Sequence, residues 1–572
     1  MARRAAIGIQ DFGKIIKNNC FYVDKTLFIK EWWDSMDDVT LITRPRRFGK
    51  TLTMSMLEQF FSVNYAQERA VFETLQIWQH AKYRSLQGTY PVIFLSFSRV
   101  KGNHYRHTRM ILNQIFTELY ERNRYLLHGD LLSATEKNYF MQICDTMEEH
   151  TAEAAIHRLS EFMYRYYGKK PLILLDEYDT PLQEAYLGGY WEEMAAFIRG
   201  IFNASFKDNP YMERAVLTGI TRVSKESVFS DLNHLKMITT TSKKYETAFG
   251  FTEKEVLAAL EEFGLSDQKQ EVKCWYDGFR FGNHDSIYNP WSILNFLDEK
   301  ELKAFWVNTS SNSMVGQLIH DGGMEMKLVM EDLLMGREFR TQMDEEIVFK
   351  QLNKKKSAVW SLLLASGYLK ALEVKQNDRG KQEYVLALTN REVRLMFDEM
   401  VMDWFSNKNL DYNDFSEALL NGNKQFMNDY LNEIAQETFS SFDTGYKPSA
   451  FKQPENFYHG FTLGLIAGLR DLYHITSNRE SGYGRYDVVM EPRDPTAHDG
   501  IILEFKVRDP KKESSLQETV NAALRQILTK KYDMELLAKG ILSRQIRIYG
   551  IAFQGKHVLV DGGCPEQLHT VY

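Results

Sequence analysis

Residues with chemical potential are concentrated in the segment 39–57, VTLITRPRRFGKTLTMSML. The segment has the pattern of a short apolar strand, a loop and a helix, and the loop ends in Gly49, Lys50 and Thr51. These three residues form the second half of a Walker A phosphate-binding loop. In such a loop the backbone N–H groups and the helix N-terminus face phosphates, the lysine reaches the β/γ oxygens, and the threonine hydroxyl holds magnesium. The pattern predicts a nucleotide contact surface made of Arg46, Arg47, Phe48, Gly49, Lys50, Thr51 and Leu52.

The first half of this loop departs from the pattern GxxxxGK[ST]. Arg44 stands where the first glycine is expected. On this loop alone, a surface turn with a basic cluster explains the residues as well as a nucleotide site does. A second motif has to decide between the two.

Two adjacent carboxylates follow an apolar run in residues 171–180, PLILLDEYDT. This is the profile of a buried parallel strand that ends in Asp176 and Glu177, as in a Walker B motif. The first carboxylate would orient magnesium, and the second would polarise the attacking water in phosphoryl transfer. An ordinary strand followed by an acidic helix cap would give the same letters. Taken with the loop, and with the strand-like segment 91–97 between them in the chain, the motif predicts one α/β sheet with an ATP and Mg²⁺ site.

Polar residues after the next apolar run would complete this site. AVLTG, residues 215–219, has the pattern of a buried strand, and Thr221 and Arg222 follow it. Thr218 or Thr221 could sense the γ-phosphate, and Arg222 could bring positive charge to the transition state. A simple ion pair between Arg222 and Glu226 explains the arginine equally well. An arginine from a neighbouring subunit would instead imply a homo-oligomer, and the sequence leaves this open.

A second chemical cluster lies in residues 483–507. RYDVVM has the pattern of a strand that carries Asp487, and GIILEFKVR has the pattern of a second strand. The two-residue period of a strand puts Glu504 and Lys506 on the same face as Ile502. Charge on an apolar strand is costly to bury unless it is paired or metal-bound, so the pair indicates a site. Taken alone, an exposed Glu–Lys surface pair is the simpler interpretation.

The surroundings of this strand favour a metal site. Glu455 stands at a predicted helix start in PENFYHGF, the segment 523–532 is an amphipathic helix bearing Gln526, and residues 546–560 supply further strands. Basic residues nearby could neutralise phosphates, although each of them fits a solvated surface as well. They are Arg508, Lys511, Lys512, Arg525, Lys530 and Lys531.

Composition sets the wider frame. The 572 residues suffice for about three or four domains, and a hydrophobic content of 44% with 26% charged residues is typical of a soluble globular protein. The net charge of -7 gives no general attraction to nucleic acid, so such contact needs local basic patches. The four cysteines are far apart and form neither a zinc pattern nor a disulfide framework. With no signal-like start and no apolar run of membrane length, we expect a cytoplasmic protein with no membrane contact.

The motifs resemble two known families. RPRRFGKT and LLDEYDTPL, together with FGKIIKNNCFYVDKTLFI and LTGITRVSKESVFSDLNHL, are similar to the AAA-ATPase-like proteins of bacteria and archaea, in which the missing first glycine is normal. The pattern D…ExK resembles the PD-(D/E)xK nuclease superfamily, in which two acids hold magnesium and the lysine orients the attacking water. The second resemblance implies that Asp487 and Glu504 are catalytic metal ligands, that Lys506 is catalytic, and that Glu455 supports the metal.

These inferences combine into one architecture. We expect an α/β protein with a P-loop NTPase parallel sheet, a helical lid and linker, and a C-terminal α/β PD-(D/E)xK nuclease-like domain. The predicted boundaries are 1–240, 241–340, 341–440 and 441–572. The implied function is ATP hydrolysis coupled to Mg²⁺-dependent cutting of nucleic acid, with DNA favoured over RNA. The alternative is a nucleotide-driven switch whose C-terminal fold binds nucleic acid without cutting it.

Overall fold

The computed structural model describes residues 3–221, 228–229, 232–306, 313–320, 323–334, 336–343, 352, 356–377, 380–405, 412–438, 466, 469, 472–477, 480–481, 484–485, 488–509, 512–554 and 557–568. The chain forms two compact units. The first comprises Met1–Leu318 and Gly336–Met396, and the second comprises Ile319–Met335 and Phe397–Tyr572. No helix within these described ranges is long and apolar enough to cross a membrane.

A five-stranded parallel sheet lies at the centre of the first unit. Its strands are β1 (Val39–Thr43), β2 (Val92–Ser96), β3 (Leu172–Asp176), β4 (Arg214–Gly219) and β5 (Leu235–Ile238), in the spatial order β2-β3-β4-β1-β5. β1 and β3 are buried along their whole length, as expected for strands inside a parallel sheet. Because the carboxyl ends of parallel strands meet at one edge, the segments that follow β1, β3 and β4 come together there.

Nine helices in the described part of the chain accompany this sheet. They are α1 (Phe12–Lys17), α2 (Leu27–Ser35), α3 (Lys50–Phe61), α4 (Ala81–Arg84), α5 (Tyr105–Arg122), α6 (Ala134–Gln142), α7 (Glu149–Tyr167), α8 (Thr180–Gly188) and α9 (Trp191–Phe206). α3 packs on β2, β3 and β4, and α7 packs on α5 and α9. α3 follows β1 directly, so its N-terminus lies at the carboxyl edge of the sheet.

Two small antiparallel sheets follow in the first unit. β6 (Phe251–Thr252), β7 (Phe279–Phe281) and β8 (His284–Tyr288) form one, and β9 (Phe339–Gln342), β10 (Leu369–Gln376) and β11 (Gln382–Leu388) form the other. The helices between residues 253 and 405 are α10 (Glu253–Glu262), α11 (Lys269–Tyr276), α12 (Pro290–Glu299), α13 (Ser313–His320), α14 (Gly323–Leu334), α15 (Lys356–Ala365) and α16 (Arg391–Phe405). Of these, α14 belongs to the second unit, and α13 and α16 contain residues of both units. Tyr276 and Tyr288 belong to the apolar core that α10–α12 share.

The second unit is built on a mixed sheet in the order β12-β15-β16-β17-β18. Its strands are β12 (Tyr473–Ser477), β15 (Val488–Pro492), β16 (Gly500–Val507), β17 (Ile546–Gln554) and β18 (His557–Gly563), and β13 (Glu480–Ser481) pairs separately with β14 (Gly484–Arg485). Of the four neighbouring strand pairs in this five-stranded sheet, β16–β17 is parallel and the other three are antiparallel. The helices are α17 (Tyr412–Asn421), α18 (Lys424–Thr438), α19 (Leu516–Lys530), α20 (Met534–Ala538) and α21 (Pro565–Leu568). The α/β class predicted for both parts of the chain is confirmed.

The two faces of β16 pack into different cores, as the two-residue period predicts. Leu503 and Phe505 pack into a core shared with α17 and α18, whereas Ile502 packs into a core shared with α19. Glu504 is only 2% exposed. The alternation therefore directs the Glu504 side chain to the face that α19 covers.

Candidate functional site

The loop between β1 and α3 is bridged by the side chain of Lys50, the first residue of α3. Gly49 adopts φ +82° at the N-cap of α3, a left-handed conformation that glycine accepts without strain. Lys50 Nζ donates to the carbonyl oxygens of Arg44 at 2.9 Å and Pro45 at 2.8 Å. Burial lowers the pKa of Lys50, while the carboxylates of Glu177 and Asp176 oppose this change. The ammonium group thus lies inside the curve of the loop, where a phosphate-binding lysine is needed.

Arg44, which replaces the first glycine of the pattern, is completely buried. Its guanidinium donates to the carbonyl oxygens of Thr43 at 2.9 Å, Thr239 at 2.6 Å and Tyr245 at 3.3 Å. It also lies over the Phe281 ring at 4.6 Å, and burial lowers the pKa of Arg44 to about 9. The departure from the pattern is therefore a structural anchor that ties the phosphate loop to the segment after β5.

Three predicted site residues meet at the carboxyl edge of the sheet. Asp176, at the end of β3, is completely buried. Thr51 Oγ1 donates to Asp176 Oδ2 at 2.7 Å, and the Thr218 hydroxyl donates to Asp176 Oδ1. Of the two threonines predicted for this site, Thr218, near the end of β4, is the one that contacts this carboxylate. The Thr221 hydroxyl donates instead to Asp179 Oδ2 at 2.6 Å.

Glu177 has an unusual backbone and a perturbed carboxyl group. Its φ is +53°, a left-handed conformation that costs a non-glycine residue energy and is often found at functional sites. Burial and the neighbouring Asp176 carboxylate raise the pKa of Glu177, whereas Lys50 opposes them. Thr180 Oγ1 donates to Glu177 Oε2 at 3.3 Å. A carboxylate with a raised pKa is a better proton acceptor than an ordinary glutamate.

Asp179 is a site residue that the sequence reasoning missed. Its Oδ2 accepts from Ile220 N at 3.1 Å, Thr221 N at 2.8 Å and Gln183 Nε2 at 2.8 Å. The carboxylate therefore fixes the chain where it leaves β4, next to Thr218. The signal in the sequence was the second aspartate of DEYD.

Lys50, Thr51 and Glu177 line a cavity of about 550 Å³, a size suited to a small-molecule ligand. The end of the loop and the first turn of α3, Arg46 to Thr53, also line it, together with the N-terminal segment that includes Tyr22. The Arg47 guanidinium lies over the Trp291 ring at 4.3 Å, and Arg46 Nη2 donates to Gln183 Oε1 at 3.5 Å. Both loop arginines are exposed, so they can meet an anionic ligand.

The two apolar residues predicted for the nucleotide contact surface differ in position. Phe48 is 1% exposed and packs edge-on against Phe279 and Phe281. Leu52 is half-buried on the first turn of α3. Both border the cavity, but Phe48 belongs mainly to the core beneath the loop.

In the second unit, Gln526 connects the two predicted catalytic residues of β16. Its amide nitrogen donates to Glu504 Oε1, and its amide oxygen accepts from Lys506 Nζ at 2.8 Å. The same nitrogen lies 3.3 Å from the Tyr532 hydroxyl. Glu504 and Lys506 therefore project toward α19 together, as the alternation predicts. The sequence placed Gln526 on an amphipathic helix but gave it no role.

Three predicted site residues, Arg222, Glu455 and Asp487, lie outside the described residues. Asp487 directly precedes Val488, which pairs with Leu503 across the β15–β16 hairpin. Within the described ranges, no group of three or more His, Cys, Asp or Glu side chains is placed to hold a metal ion.

The predicted basic patch near β16 is partly engaged in local contacts. Arg508 donates to Gln554 Oε1 at 2.7 Å and to the carbonyl oxygens of Glu513 and Ser514 at 3.0 and 2.8 Å. Lys512 lies 3.5 Å from Asp509 Oδ2. Arg525 and Lys530 are exposed. Phosphate contacts are therefore more readily made by the α19 residues than by Arg508.

Two protein families are similar to separate parts of this chain. Residues 6–229 match the model of a predicted AAA-ATPase family, and residues 453–562 match the model of the PD-(D/E)XK nuclease superfamily. The chain is also similar to a protein from Azotobacter chroococcum mcd 1, named "Uncharacterized protein in vnfD 5'region", with 25% identity over 413 residues, which is 70% of each chain. The protein thus carries an AAA-ATPase-like domain at residues 6–229 and a PD-(D/E)XK nuclease superfamily domain at residues 453–562.

Proposed function

We propose that this protein binds and hydrolyses ATP with Mg²⁺ at the carboxyl edge of the first sheet, and that its second unit cuts nucleic acid, DNA rather than RNA. The observation that carries the ATP half is the meeting of Thr51, Asp176 and Thr218 beside the closed loop around Lys50. These residues come from three separate segments of the chain. A basic surface turn gives no reason for them to converge.

The phosphate loop supplies the contacts for the triphosphate. The N-terminus of α3 offers unpaired N–H groups and the positive end of the helix dipole. Lys50 would exchange its two loop carbonyls for phosphate oxygens, and the exposed Arg46 and Arg47 would add charge from the cavity wall. The hydroxyl of Thr51 and the carboxylate of Asp176 are hard oxygen donors of the kind that Mg²⁺ prefers. Bound Mg²⁺ would neutralise charge on the phosphates.

Glu177 is the proposed base for hydrolysis. Its raised pKa lets it accept a proton from a water held in front of the phosphates. Thr218, which donates to Asp176, is the proposed sensor of the γ-phosphate. Arg222 is the proposed source of additional positive charge at the transition state.

In the second unit, Asp487 and Glu504, supported by Glu455, are the proposed metal-holding acids. Glu504 is buried on an otherwise apolar strand beside Lys506, and such an arrangement suits a cation site better than a surface ion pair. A divalent ion held there would activate water and stabilise the leaving oxygen. Lys506 would orient the attacking water, and Gln526 would keep Glu504 and Lys506 in register.

One assay tests both halves of the proposal. Purified full-length protein is incubated with single- and double-stranded DNA and RNA, in Mg²⁺ or Mn²⁺, with and without ATP. We expect Lys50→Ala to abolish ATP turnover, and Glu504→Gln or Lys506→Ala to abolish cutting while ATP turnover remains. Lys17→Ala, at an exposed ion pair with Glu68, is the control for loss of a lysine.

The outcomes of this assay separate the alternatives. If the wild type cuts RNA but not DNA, the choice of substrate is wrong. The protein is a nucleotide-driven switch if the wild type cuts no substrate, and if both the wild type and Glu504→Gln bind DNA without metal. We further propose a cytoplasmic location, which the four free cysteines support.

A further inference from the structure

A buried carboxylate outside the proposed reactions lies close behind the phosphate loop. Glu392, the second residue of α16, is completely buried. Its Oε1 accepts from the backbone N–H of Trp306 at 2.6 Å, and its Oε2 accepts from Ser292 Oγ at 2.9 Å. Buried charge needs such donors, and here they come from two segments that border the nucleotide cavity.

These two segments hold the carbonyl oxygen of Arg46 in the phosphate loop. Trp306 Nε1 donates to Arg46 O at 3.0 Å, and Asn289 Nδ2 donates to the same oxygen at 3.3 Å. Asn289 also caps α12, because its Oδ1 accepts from the N–H groups of Trp291 and Ser292 at 2.9 and 3.3 Å. Glu392 therefore binds the backbone of Trp306, one of the two donors to Arg46. It also binds Ser292 in the first turn of α12, the helix that the other donor, Asn289, caps.

The charge of Glu392 is poised to change near neutral pH. Burial raises the pKa of Glu392 to about 7, although the N–H of Trp306 and the hydroxyl of Ser292 favour the charged form. Tyr276 of α11 faces this carboxylate, and Arg391 and Arg394 are its neighbours on α16. The Arg391 guanidinium lies over the Trp275 ring at 4.6 Å. A protonated carboxyl group gives up an acceptor position, so its grip on the two donors weakens.

We infer that Glu392 and Trp306 are positioning residues for the phosphate loop, and that the loop holds nucleotide best when Glu392 carries its negative charge. The inference rests on the proposed binding of ATP. It adds a pH dependence of nucleotide affinity that comes from the Glu392 carboxyl group. No contact between Glu392 and the nucleotide is involved, because the effect passes through Trp306 to the Arg46 carbonyl.

The first test measures the dissociation constant of MgATP for the full chain between pH 6 and pH 8. The γ-phosphate and Glu177 also titrate, so the informative quantity is the difference between wild type and Glu392→Gln at each pH. We expect the variant to match the wild type at pH 6 and to bind about three- to tenfold more weakly at pH 8, the effect of about one hydrogen bond. Glu301→Gln, at an exposed carboxylate, should follow the wild type at every pH.

Trp306→Phe removes the indole N–H and leaves a smaller aromatic ring in this buried position. We expect it to weaken MgATP binding at pH 8 to the level of Glu392→Gln, and the double variant to be no weaker than either single one. Trp78→Phe, which alters a half-buried tryptophan of the segment 76–79 beside α2, should leave affinity unchanged. Equal binding of wild type and Glu392→Gln at pH 8, or an additive double variant, would overturn the inference.

A second measurement needs no nucleotide. We expect wild-type tryptophan fluorescence to titrate near pH 7, and this transition to be absent in both Trp306→Phe and Glu392→Gln. A raised carboxyl pKa means that the charged form destabilises the fold as pH rises through 7, so Glu392→Gln should melt no lower than wild type at pH 8. If no such transition exists, the inference is wrong even where ATP binds. If the transition exists but no ATP binds, the proposed function is wrong instead.

Discussion

Thr51 Oγ1 donates to Asp176 Oδ2 at 2.7 Å, although 125 positions separate the two residues in the chain. The sheet order explains the contact. β4 lies between β1 and β3, and all three run parallel, so the loop after β1 and the carboxylate that ends β3 reach the same edge. A hydroxyl and a carboxylate oxygen already in contact would supply two of the six oxygen positions around an octahedral Mg²⁺ ion.

We expect Thr51→Val to weaken ATP binding by about tenfold or more in Mg²⁺, and to leave metal-free binding nearly unchanged. Valine keeps the shape of threonine and removes only the oxygen donor. Calorimetric titrations with ATP in Mg²⁺ and in EDTA give the two affinities. Thr51→Ser, which keeps the hydroxyl, should behave as wild type. An equal loss of affinity in both buffers would mean that Thr51 supports the loop and not the metal.

Glu177→Gln should lower kcat for ATP hydrolysis by about 10²- to 10⁴-fold, the usual effect of removing a general base. Its affinity for ATP should not fall, because glutamine removes a negative charge beside the phosphates. Burial and Asp176 raise the pKa of Glu177, so wild-type turnover should decline at a higher pH than an ordinary glutamate would give, as acid protonates the base. Steady-state phosphate release measured against pH checks both points. A variant that turns over at the wild-type rate would exclude Glu177 as the base.

Arg44→Gly restores the standard phosphate-loop pattern in the sequence, yet we expect it to destabilise the first unit. The change leaves three carbonyl oxygens without their guanidinium donor and empties the space over Phe281. We expect the first unit to lose about 3 kcal/mol of stability, in the range for breaking a buried charged network. Arg46→Gly removes an exposed arginine from the same loop and should cost about 1 kcal/mol at most. Urea denaturation compares the two, and equal stability of Arg44→Gly and wild type would show that the anchor is dispensable.

Local patterns were sufficient for the features that have a short period. The apolar runs before the loop and before Asp176 predicted buried parallel strands, and alternation along β16 placed Glu504 beside Lys506. The partners of Arg44 could not be predicted from the sequence, because Thr239 and Tyr245 lie 195 and 201 positions away. Both accept through backbone carbonyl oxygens, which every residue type has. Glu392 was missed for a similar reason, since its donors are brought to it only when α12 and α16 pack.

Gln526→Ala should reduce nucleic-acid cutting by about 10- to 100-fold while ATP turnover stays at the wild-type rate. The glutamine holds Glu504 through its amide nitrogen and Lys506 through its amide oxygen, so its loss removes one hydrogen bond from each side chain. Gln517→Ala is the matched control, because it removes the same kind of amide from the exposed start of the same helix. A fluorescent oligonucleotide assay measures the rate. If Gln526→Ala cuts as fast as Gln517→Ala, the bridge has no catalytic importance.

The open edge of β18 is covered by side chains instead of another strand. Asn428 exchanges two hydrogen bonds with the backbone of Val560, both at 2.8 Å, and Asn432 exchanges two with Val558, at 2.6 and 2.9 Å. Four helix residues advance about 6 Å and two strand residues advance about 6.8 Å, so the asparagines of α18 match alternate residues of β18.

We expect Asn428→Ala and Asn432→Ala each to lower the stability of the second unit by about 1–2 kcal/mol, because each leaves an N–H and a C=O of the edge strand unpaired. The double variant should also self-associate, since an uncovered edge can pair with another chain. Urea denaturation followed by light scattering measures both effects. Gln425→Ala, which removes an exposed amide that donates to Asp429, is the control on the same helix. Stability unchanged by either asparagine substitution would mean that water satisfies this edge as well as the helix does.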